Sequence, residues 1–531
     1  MAVVVPLAVG LCATGTPLDL IPDGVSYLDA ARNVLAGRGP IHTWAYWDPV
    51  YAEGRLPTAS SLWPPGYPLA VAGLASLGPE LAMAALLVNL LSSVACSLLL
   101  FILLRPMAPP AEAALGAVLS VTPFAIVRFV PQPMSEVAFL SGATLALAAT
   151  GLALREATPG RRRALWLCAG VAAAGAAVLR YAGLATCASV AAAVLWRRRL
   201  GPAAGEEGEG RLLPGLAIVP PLATLILLAI RNLVVSGSVG QPLPGADTFW
   251  SSLAPGIRAA AAELLGPREL LGDGAWLLLR PLQAIILVGL GGMALRALGR
   301  GRRPDEESRG RWLALLLLFV VPYLAFQVVG CAVRGMILEE RYLTSALPWI
   351  LTALWGLAVH TGQEHPRALA WARVGGMAFC ACQWAPVVRA ADREIVGYVS
   401  AARGSPTLAW LRGHTVASEL VLTTRGAEVA YWCPDRRVLR LPRRPHSGAR
   451  ALSWEQVDAL ADRFGARYLV HLGGVVQRAR ADGEAEAFLN RLTEASTLAE
   501  RAHVRLLDGI VFLVGRQSAG TPPADRPPPD P

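Results

Sequence analysis

The sequence contains no lysine. All 48 of its basic residues are arginine, set against 38 acidic residues, which gives 531 residues a formal net charge of +10. With so much alanine, glycine and arginine, this absence is consistent with genomic base composition and identifies no function. Charge of either sign is scarce. Only 16% of residues are charged, where a soluble protein would carry about 25%, and 54% are hydrophobic, with mean hydropathy +0.46. That excludes an ordinary soluble enzyme and puts most of the chain in lipid. The arginines collect in short loops between apolar runs, which points to membrane topology and away from nucleic acid.

Other absences narrow the reading further. The eight cysteines (12, 96, 168, 187, 331, 380, 382 and 433) mostly sit inside apolar runs, with no CxxC pair and no Cys/His zinc spacing. They read as small buried hydrophobes. No glycine-rich phosphate loop is evident. The chain opens Met-Ala-Val-Val-Val-Pro without a basic leader or a small-residue cleavage site, so 3–16 reads as a spanning helix. That helix is short, as expected if the given chain starts inside it.

What remains is about eleven apolar stretches long enough to cross a bilayer. They cover roughly 3–16, 81–104, 112–130, 135–154, 164–178, 180–196, 212–230, 277–298, 312–333, 342–359 and 374–390. The 164–196 stretch is split because Leu179-Arg180-Tyr181-Ala182-Gly183 puts a charge and a glycine at its middle. With strict alternation, the Arg-rich loops 155–163, 197–211 and 299–311, and the shorter ones near Arg105 and at 360–373, all fall on one side, the cytoplasmic one. The opposite face receives the long loops 17–67 and 231–276, the segment Pro131 to Glu136, the Arg180-Tyr181 turn and the segment Arg334 to Tyr342. Residues 68–77 read as an interfacial helix.

From about 391 the apolar runs shorten and charge rises. Strands are expected at 418–423, 437–441 and 467–471, helices at 427–432, after Ser453 and at 485–499, and a hairpin through Asp508-Gly509. The expected fold class is therefore a polytopic α-helical membrane protein: a membrane domain over 1–390, a small extracytoplasmic α/β domain over 391–515, and a Pro-rich disordered tail over 516–531.

Candidate chemistry collects on the outer face. Asp23 follows a proline and starts a helical pattern in which Val25, Leu28, Ala31 and Leu35 share a face, ending at Gly37. It is either an N-cap or a reactive carboxylate at the membrane edge. Asp29 lies on a different face of the same helix and is expected to be solvated or paired with Arg32. Glu136 opens a span, where the helix dipole favours a carboxylate. Arg180 and Tyr181 sit where two apolar runs meet. An arginine at that depth either snorkels or faces an anionic ligand. Arg231-Asn232 ends another span, and Arg334, Glu339, Glu340, Arg341 and Tyr342 precede a third. Outer arginines run against the positive-inside trend, and a guanidinium fork matches phosphate oxygens. A loop carboxylate with arginines at the membrane edge points to reaction at a lipid-linked phosphate. The carboxylate would act as general base and the arginines would stabilise the leaving phosphate.

These residues together resemble the GT-C glycosyltransferases, in the branch of the protein O-mannosyltransferases and aminoarabinose transferases. The resemblance rests on Pro22-Asp23-Gly24-Val25-Ser26-Tyr27-Leu28 with Ala30-Ala31, on Pro64-Pro65-Gly66-Tyr67-Pro68, on Ser135-Glu136, on Arg180-Tyr181-Ala182-Gly183-Leu184, on Arg231-Asn232, and on Glu340-Arg341-Tyr342-Leu343 with Leu347-Pro348. It implies that Asp23 is the general base and that Arg180 and Arg341 contact the phosphate of a polyprenyl-phosphate sugar; Tyr181, Arg231 and Tyr342 are expected beside them at that phosphate. The loop ending at Tyr67 matches the family's segment leading into the first interfacial helix, and Asp29 and Tyr67 are expected on the acceptor and loop side. Two positions depart from the family. Gly24 stands where many members have a second acid, and Trp63 where many have histidine. Metal assistance is therefore not carried over and a divalent cation is left open, with Asp48, Glu53 and Glu136 as candidates for a second acid. The expected activity is inverting sugar transfer to a glycan, lipid or protein acceptor at the outer face of the inner (plasma) membrane. The alternative is a flippase or transporter of lipid-linked sugars. It is disfavoured by the lack of an internal repeat and by the gathering of charges at one face.

Overall fold

The structure is a computed structural model. It describes residues 2–14, 22–48, 52–53, 58–59, 63–156, 158–199, 212–236, 304–334, 340–392, 405–417, 419–441, 452–472, 502–506 and 509–514. The chain divides into two compact units. The first comprises Met1–Thr16, Leu62–Val234 and Ala246–Ile395, and the second Pro17–Ser61, Val235–Gly245 and Val396–Pro531.

The helices of the first unit are α1 (Val4–Thr14), α3 (Gly66–Ala75), α4 (Leu81–Leu104), α5 (Pro110–Val121), α6 (Phe124–Val127), α7 (Glu136–Ala153), α8 (Pro159–Leu179), α9 (Gly183–Arg199), α10 (Leu212–Ser236), α11 (Pro304–Arg334), α12 (Glu340–Thr344), α13 (Leu347–Glu364) and α14 (Pro366–Asp392); α2 belongs to the second unit. Among the described residues, five helical stretches are long and apolar enough to cross a membrane: Leu81–Leu104, Glu136–Ala153, Pro159–Leu179, Gly215–Val234 and Trp312–Cys331. Four shorter apolar helices accompany them, including Gly66–Ala75 at the place expected for the interfacial helix. This is a multi-pass membrane protein, and its burial pattern is inverted as lipid demands. Leu91, Leu227 and Val234 are more than half exposed, while Asn89, Ser97, Thr144 and Thr150 are buried.

Two expected spans differ in detail. The stretch 112–130 is two helices, because Pro123 removes a backbone donor and α5 stops at Val121. The stretch 342–359 is broken at 345–346 into α12 and α13. The break expected near Arg180 is present, with α8 ending at Leu179 and α9 beginning at Gly183. The span 277–298 lies outside the described residues.

Small residues let the helices approach closely. Ala143 and Ala146 of α7 and Ala173, Ala176 and Ala177 of α8 are fully buried, and a Cβ on Gly142 would lie 3.7 Å from Ala176. Three buried tryptophans then lace the bundle through their indole N–H groups. Trp312 donates to Leu103 O at 3.0 Å, Trp349 to Thr144 Oγ1 at 3.0 Å and Trp355 to Glu112 O at 2.8 Å. Each donor is satisfied in an apolar setting where leaving it unpaired costs about 1–3 kcal/mol.

The second unit is built on a seven-stranded sheet with order β3-β2-β6-β5-β7-β9-β8. Its strands are β2 (Trp44–Asp48), β3 (Ala52–Glu53), β5 (Leu420–Thr423), β6 (Arg437–Arg440), β7 (Tyr468–Leu472), β8 (Ala502–Leu506) and β9 (Gly509–Leu513); β1 (Ile41–His42) and β4 (Thr58–Ala59) form a separate pair. Helices α15 (Pro406–His414), α16 (Gly426–Trp432) and α17 (Trp454–Phe464) accompany it. Ser453 and Gln456 close the expected capping box of α17, and β8 and β9 pair antiparallel. The expected helix 485–499 lies outside the described residues.

The division of the chain at residue 390, with 17–67 counted in the membrane domain, has to be redrawn. Residues 17–61 belong with the C-terminal part. Strand β2 pairs parallel with β6, with Trp44 opposite Val438 and Tyr46 opposite Arg440. Ala45 and Trp47, two apart on one face of β2, enter the same buried core as Leu422, Leu439, Leu460 and Phe512. The loop supplies a strand and part of the core, which the C-terminal segment would otherwise lack.

Candidate active site

In the first unit, short contacts connect several of the polar residues singled out in the sequence. Helix α8 ends with Arg180 in extended conformation, φ −151 and ψ 142, its N–H still bonded to Ala176 O at 2.9 Å. Gly183 makes the turn possible, because a Cβ there would overlap the backbone of Ala176 and Ala177. Gly66 approaches the same place, where a Cβ would come within 2.6 Å of Val178 O. The Arg180 side chain reaches the start of α7. Its Nη1 lies 2.6 Å from Glu136 Oε1 and 3.4 Å from Ser135 Oγ. The segment leading into Glu136 is pinned by Asn89 of α4, whose Nδ2 donates to Phe129 O at 3.2 Å and to Gln132 O at 2.6 Å.

From Tyr181 a second chain of contacts leads to α10. Asn232 Nδ2 donates to Tyr181 Oη at 2.8 Å, and Arg231 Nη1 donates to Asn232 Oδ1 at 3.1 Å. A third leads to α12. Tyr323 of α11 is fully buried, donates its hydroxyl proton to Tyr342 O at 2.9 Å, and receives Gln327 Nε2 at 2.9 Å. Tyr323 Oη lies within electrostatic reach of both Arg180 and Glu136. Its ring stacks on Phe139 at 5.8 Å and meets Trp349 edge-on. Arg341 lies over the Tyr342 ring at 5.2 Å. So Arg180 pairs with Glu136, Tyr181 joins Arg231 through Asn232, and Arg341 and Tyr342 adjoin Tyr323, whose hydroxyl feels the charges of Arg180 and Glu136. Tyr67, at the start of α3, is fully buried.

Tyr323 and Gln327 were missed by the sequence reading. The available signal was two polar residues four apart inside an otherwise apolar span, the spacing that puts both on one helix face.

The second unit holds Asp23, Asp29 and Asp48. Asp23 lies in the first turn of α2 (Pro22–Leu35) and is partly exposed. The helix starts one residue earlier, so Asp23 is a first-turn carboxylate and not the N-cap. Val25, Leu28 and Ala31 are buried as expected, but Leu35, the last residue of the helix, is 45% exposed. Gly37, at φ 73, closes the helix as expected.

Asp29 is neither solvated nor paired with Arg32. It is fully buried, and its oxygens accept from Thr43 N and Thr43 Oγ1, both at 2.9 Å, with His42 Nδ1 3.6 Å away. Two donors on the returning chain satisfy the carboxylate better than a side chain that can reach solvent. Arg32 instead donates to Tyr431 O at 3.2 Å and lies over that ring at 4.8 Å. Asn33 completes the turn by donating to Ile41 O at 2.8 Å. Asp29 is therefore a structural carboxylate, and its assignment to the acceptor site is withdrawn. Asp48 ends β2 in register with Ala52, and Glu53 lies opposite Trp47. Among the described residues, no group of three His, Cys, Asp or Glu side chains could hold a metal ion.

No protein-family model matches the sequence, and no curated protein matches it at a significant level. Solved structures do. ArnT from Cupriavidus metallidurans, solved bound to undecaprenyl phosphate, superposes with TM-score 0.59 at 12% identity, covering 98% of both chains. The oligosaccharyltransferase of Archaeoglobus fulgidus, solved with zinc and sulfate, gives TM-score 0.56 at 13% identity over 97% of this chain and 73% of its own. The mycobacterial arabinofuranosyltransferase AftD gives 0.51 at 16% identity over 89% of this chain and 36% of its own. The chain has the GT-C membrane fold.

Proposed function

We propose that this protein is an inverting glycosyltransferase that takes a sugar from a polyprenyl-phosphate carrier. The observation that carries the reading is the contact of Arg180 with the buried Glu136 in a GT-C membrane fold, with Tyr181 tied to Arg231 through Asn232 and Tyr342, next to Arg341, tied to Tyr323. Three guanidinium groups and hydroxyl donors in an apolar setting suit a phosphodiester, whose charge would be costly to bring there unaided. Undecaprenyl phosphate in the ArnT structure and dolichol phosphate in a structure of the archaeal oligosaccharyltransferase AglB are lipids of the matching class.

In this reading the acceptor hydroxyl attacks the anomeric carbon from the face opposite the phosphate. The new C–O bond forms as the bond to the phosphate oxygen breaks, and polyprenyl phosphate leaves with the electron pair. Asp23 takes the hydroxyl proton. Arg180, with Arg341 and Arg231, stabilises the negative charge accumulating on the leaving phosphate. One displacement inverts the anomeric centre. Of the candidates for a second acid, Asp48 and Glu53 remain on the Asp23 unit as candidate ligands of a divalent cation. Glu136, being in contact with Arg180, is assigned to the donor machinery. The site faces the outside of the plasma membrane, with the C-terminal α/β part extracytoplasmic, and the acceptor is a glycan, lipid or protein hydroxyl.

The test is a donor screen with purified protein and a panel of polyprenyl-phosphate sugars, followed by Asp23→Asn. Transfer in the wild type and its loss in the variant, with donor binding retained, is the expected result. Wild-type turnover in Asp23→Asn removes the base assignment, and no turnover with any lipid-linked sugar removes the activity.

A further inference from the structure

Glu136 differs from a carboxylate retained for structure alone. It is 3% exposed, yet neither of its oxygens accepts a hydrogen bond from a described residue. Its contact with Arg180 Nη1, at 2.6 Å, is a charge contact without the alignment of a hydrogen bond. Compare Asp29, whose oxygens are each met by a Thr43 donor. An ionised carboxylate has room for about four hydrogen bonds and is costly to bury without them. Among the described residues, Glu136 is thus held by charge attraction to one guanidinium, that of Arg180, and by the N-terminal dipole of α7. Such a contact can be exchanged without breaking a hydrogen-bonded network.

We propose that Glu136 is an internal counter-ion for the donor site, competing with the donor's phosphate for Arg180. The proposal rests on the role given to Arg180 above. Donor entry is then an anion exchange at one guanidinium. The phosphodiester monoanion takes the Nη1 contact and the Glu136 carboxylate gives it up. Two anions crowded on one arginine in a low-dielectric setting repel, so the carboxylate turns away as the phosphate arrives. After sugar transfer the same competition favours release of polyprenyl phosphate. The device keeps Arg180 neutralised at membrane depth, and donor affinity is lower by the free energy of breaking the pair.

The test measures binding of polyprenyl monophosphate to the full-length protein in nanodiscs of neutral lipid, with tryptophan fluorescence as readout. Glu136→Gln keeps the side chain's shape and removes the competing charge. It should tighten binding by roughly tenfold, the size of a charge contact that no longer has to be broken. Glu136→Asp keeps the charge on a shorter arm and should tighten it by a smaller factor, which serves if the Gln variant does not fold. Unchanged or weaker binding in the folded variant overturns the counter-ion role, because a merely structural ion pair can only lose affinity when broken. Arg180→Gln separates the two readings. It should weaken binding and abolish the gain from Glu136→Gln in the double variant. If Arg180→Gln leaves binding unchanged, the phosphate assignment of Arg180 itself falls.

Discussion

Asp29→Ala should unfasten the helix that carries Asp23. The carboxylate is fully buried and takes two 2.9 Å hydrogen bonds from Thr43, one from the amide and one from the hydroxyl. Hydrogen bonds to a charged group contribute about 1.5–3 kcal/mol each. Thr43 is itself partly exposed, so its orphaned groups would recover some hydration, and the lower end applies: roughly 3 kcal/mol for the pair. At 1.36 kcal/mol per decade this is about a hundredfold in the opening equilibrium of the segment from α2 to β2. Native-state hydrogen exchange on the full-length protein reads it directly. Amides of residues 24–47 should exchange about a hundredfold faster, while those of α7 in the other unit stay unchanged. Asp29→Asn, which keeps one acceptor oxygen, should fall between. Exchange within about threefold of wild type in Asp29→Ala would refute the claim that this carboxylate fastens the helix.

Three further outcomes follow from particular contacts. Gly183→Ala would drive a methyl into the backbone of Ala176 and Ala177; it should cost about 1–3 kcal/mol and lower the thermal midpoint, and a wild-type midpoint would mean the turn after Arg180 is not so tightly packed. Partial desolvation, with Arg467 and His414 nearby, holds the imidazole of the largely exposed His503 below its ordinary value. The unfolded chain therefore takes up this proton more readily, so the contribution of neutral His503 is complete above about pH 6.5 and declines as the pH falls below it. His503→Gln should flatten that decline in urea titrations of the second unit, and an unchanged slope would assign it to other groups. For topology, Pro40→Cys and Trp250→Cys should be labelled from outside intact cells, and Gly205→Cys and Asp305→Cys should not; the reverse pattern would invert the membrane orientation.

The membrane part was largely legible because its signals are local. A charge and a glycine between two apolar runs marked the break at 179–183, and Pro-Pro-Gly-Tyr-Pro marked the start of α3. Residues 180, 231 and 341 were recognisable because an arginine is costly at the edge of an apolar run. Tyr323 was not, since a single tyrosine among aliphatic residues looks like any other core aromatic until its neighbours are known. The second unit was half legible. Its strands and the Ser453 capping box follow from short-range pattern, but the pairing of Trp44–Asp48 with Arg437–Arg440 joins segments nearly four hundred residues apart. Nothing in the period of either strand names the other. Asp29 was misjudged for the same reason: its partner, Thr43, lies beyond a glycine-containing turn whose path only the fold defines.

The central claim is most directly tested by following one sugar. Purified protein is given a polyprenyl-phosphate sugar labelled at the anomeric carbon, and the product's configuration is read by NMR beside the release of polyprenyl phosphate. The account predicts transfer with inverted configuration in the wild type and none in Asp23→Asn, which still binds the lipid. Product of retained configuration, or undiminished transfer in Asp23→Asn, would contradict it.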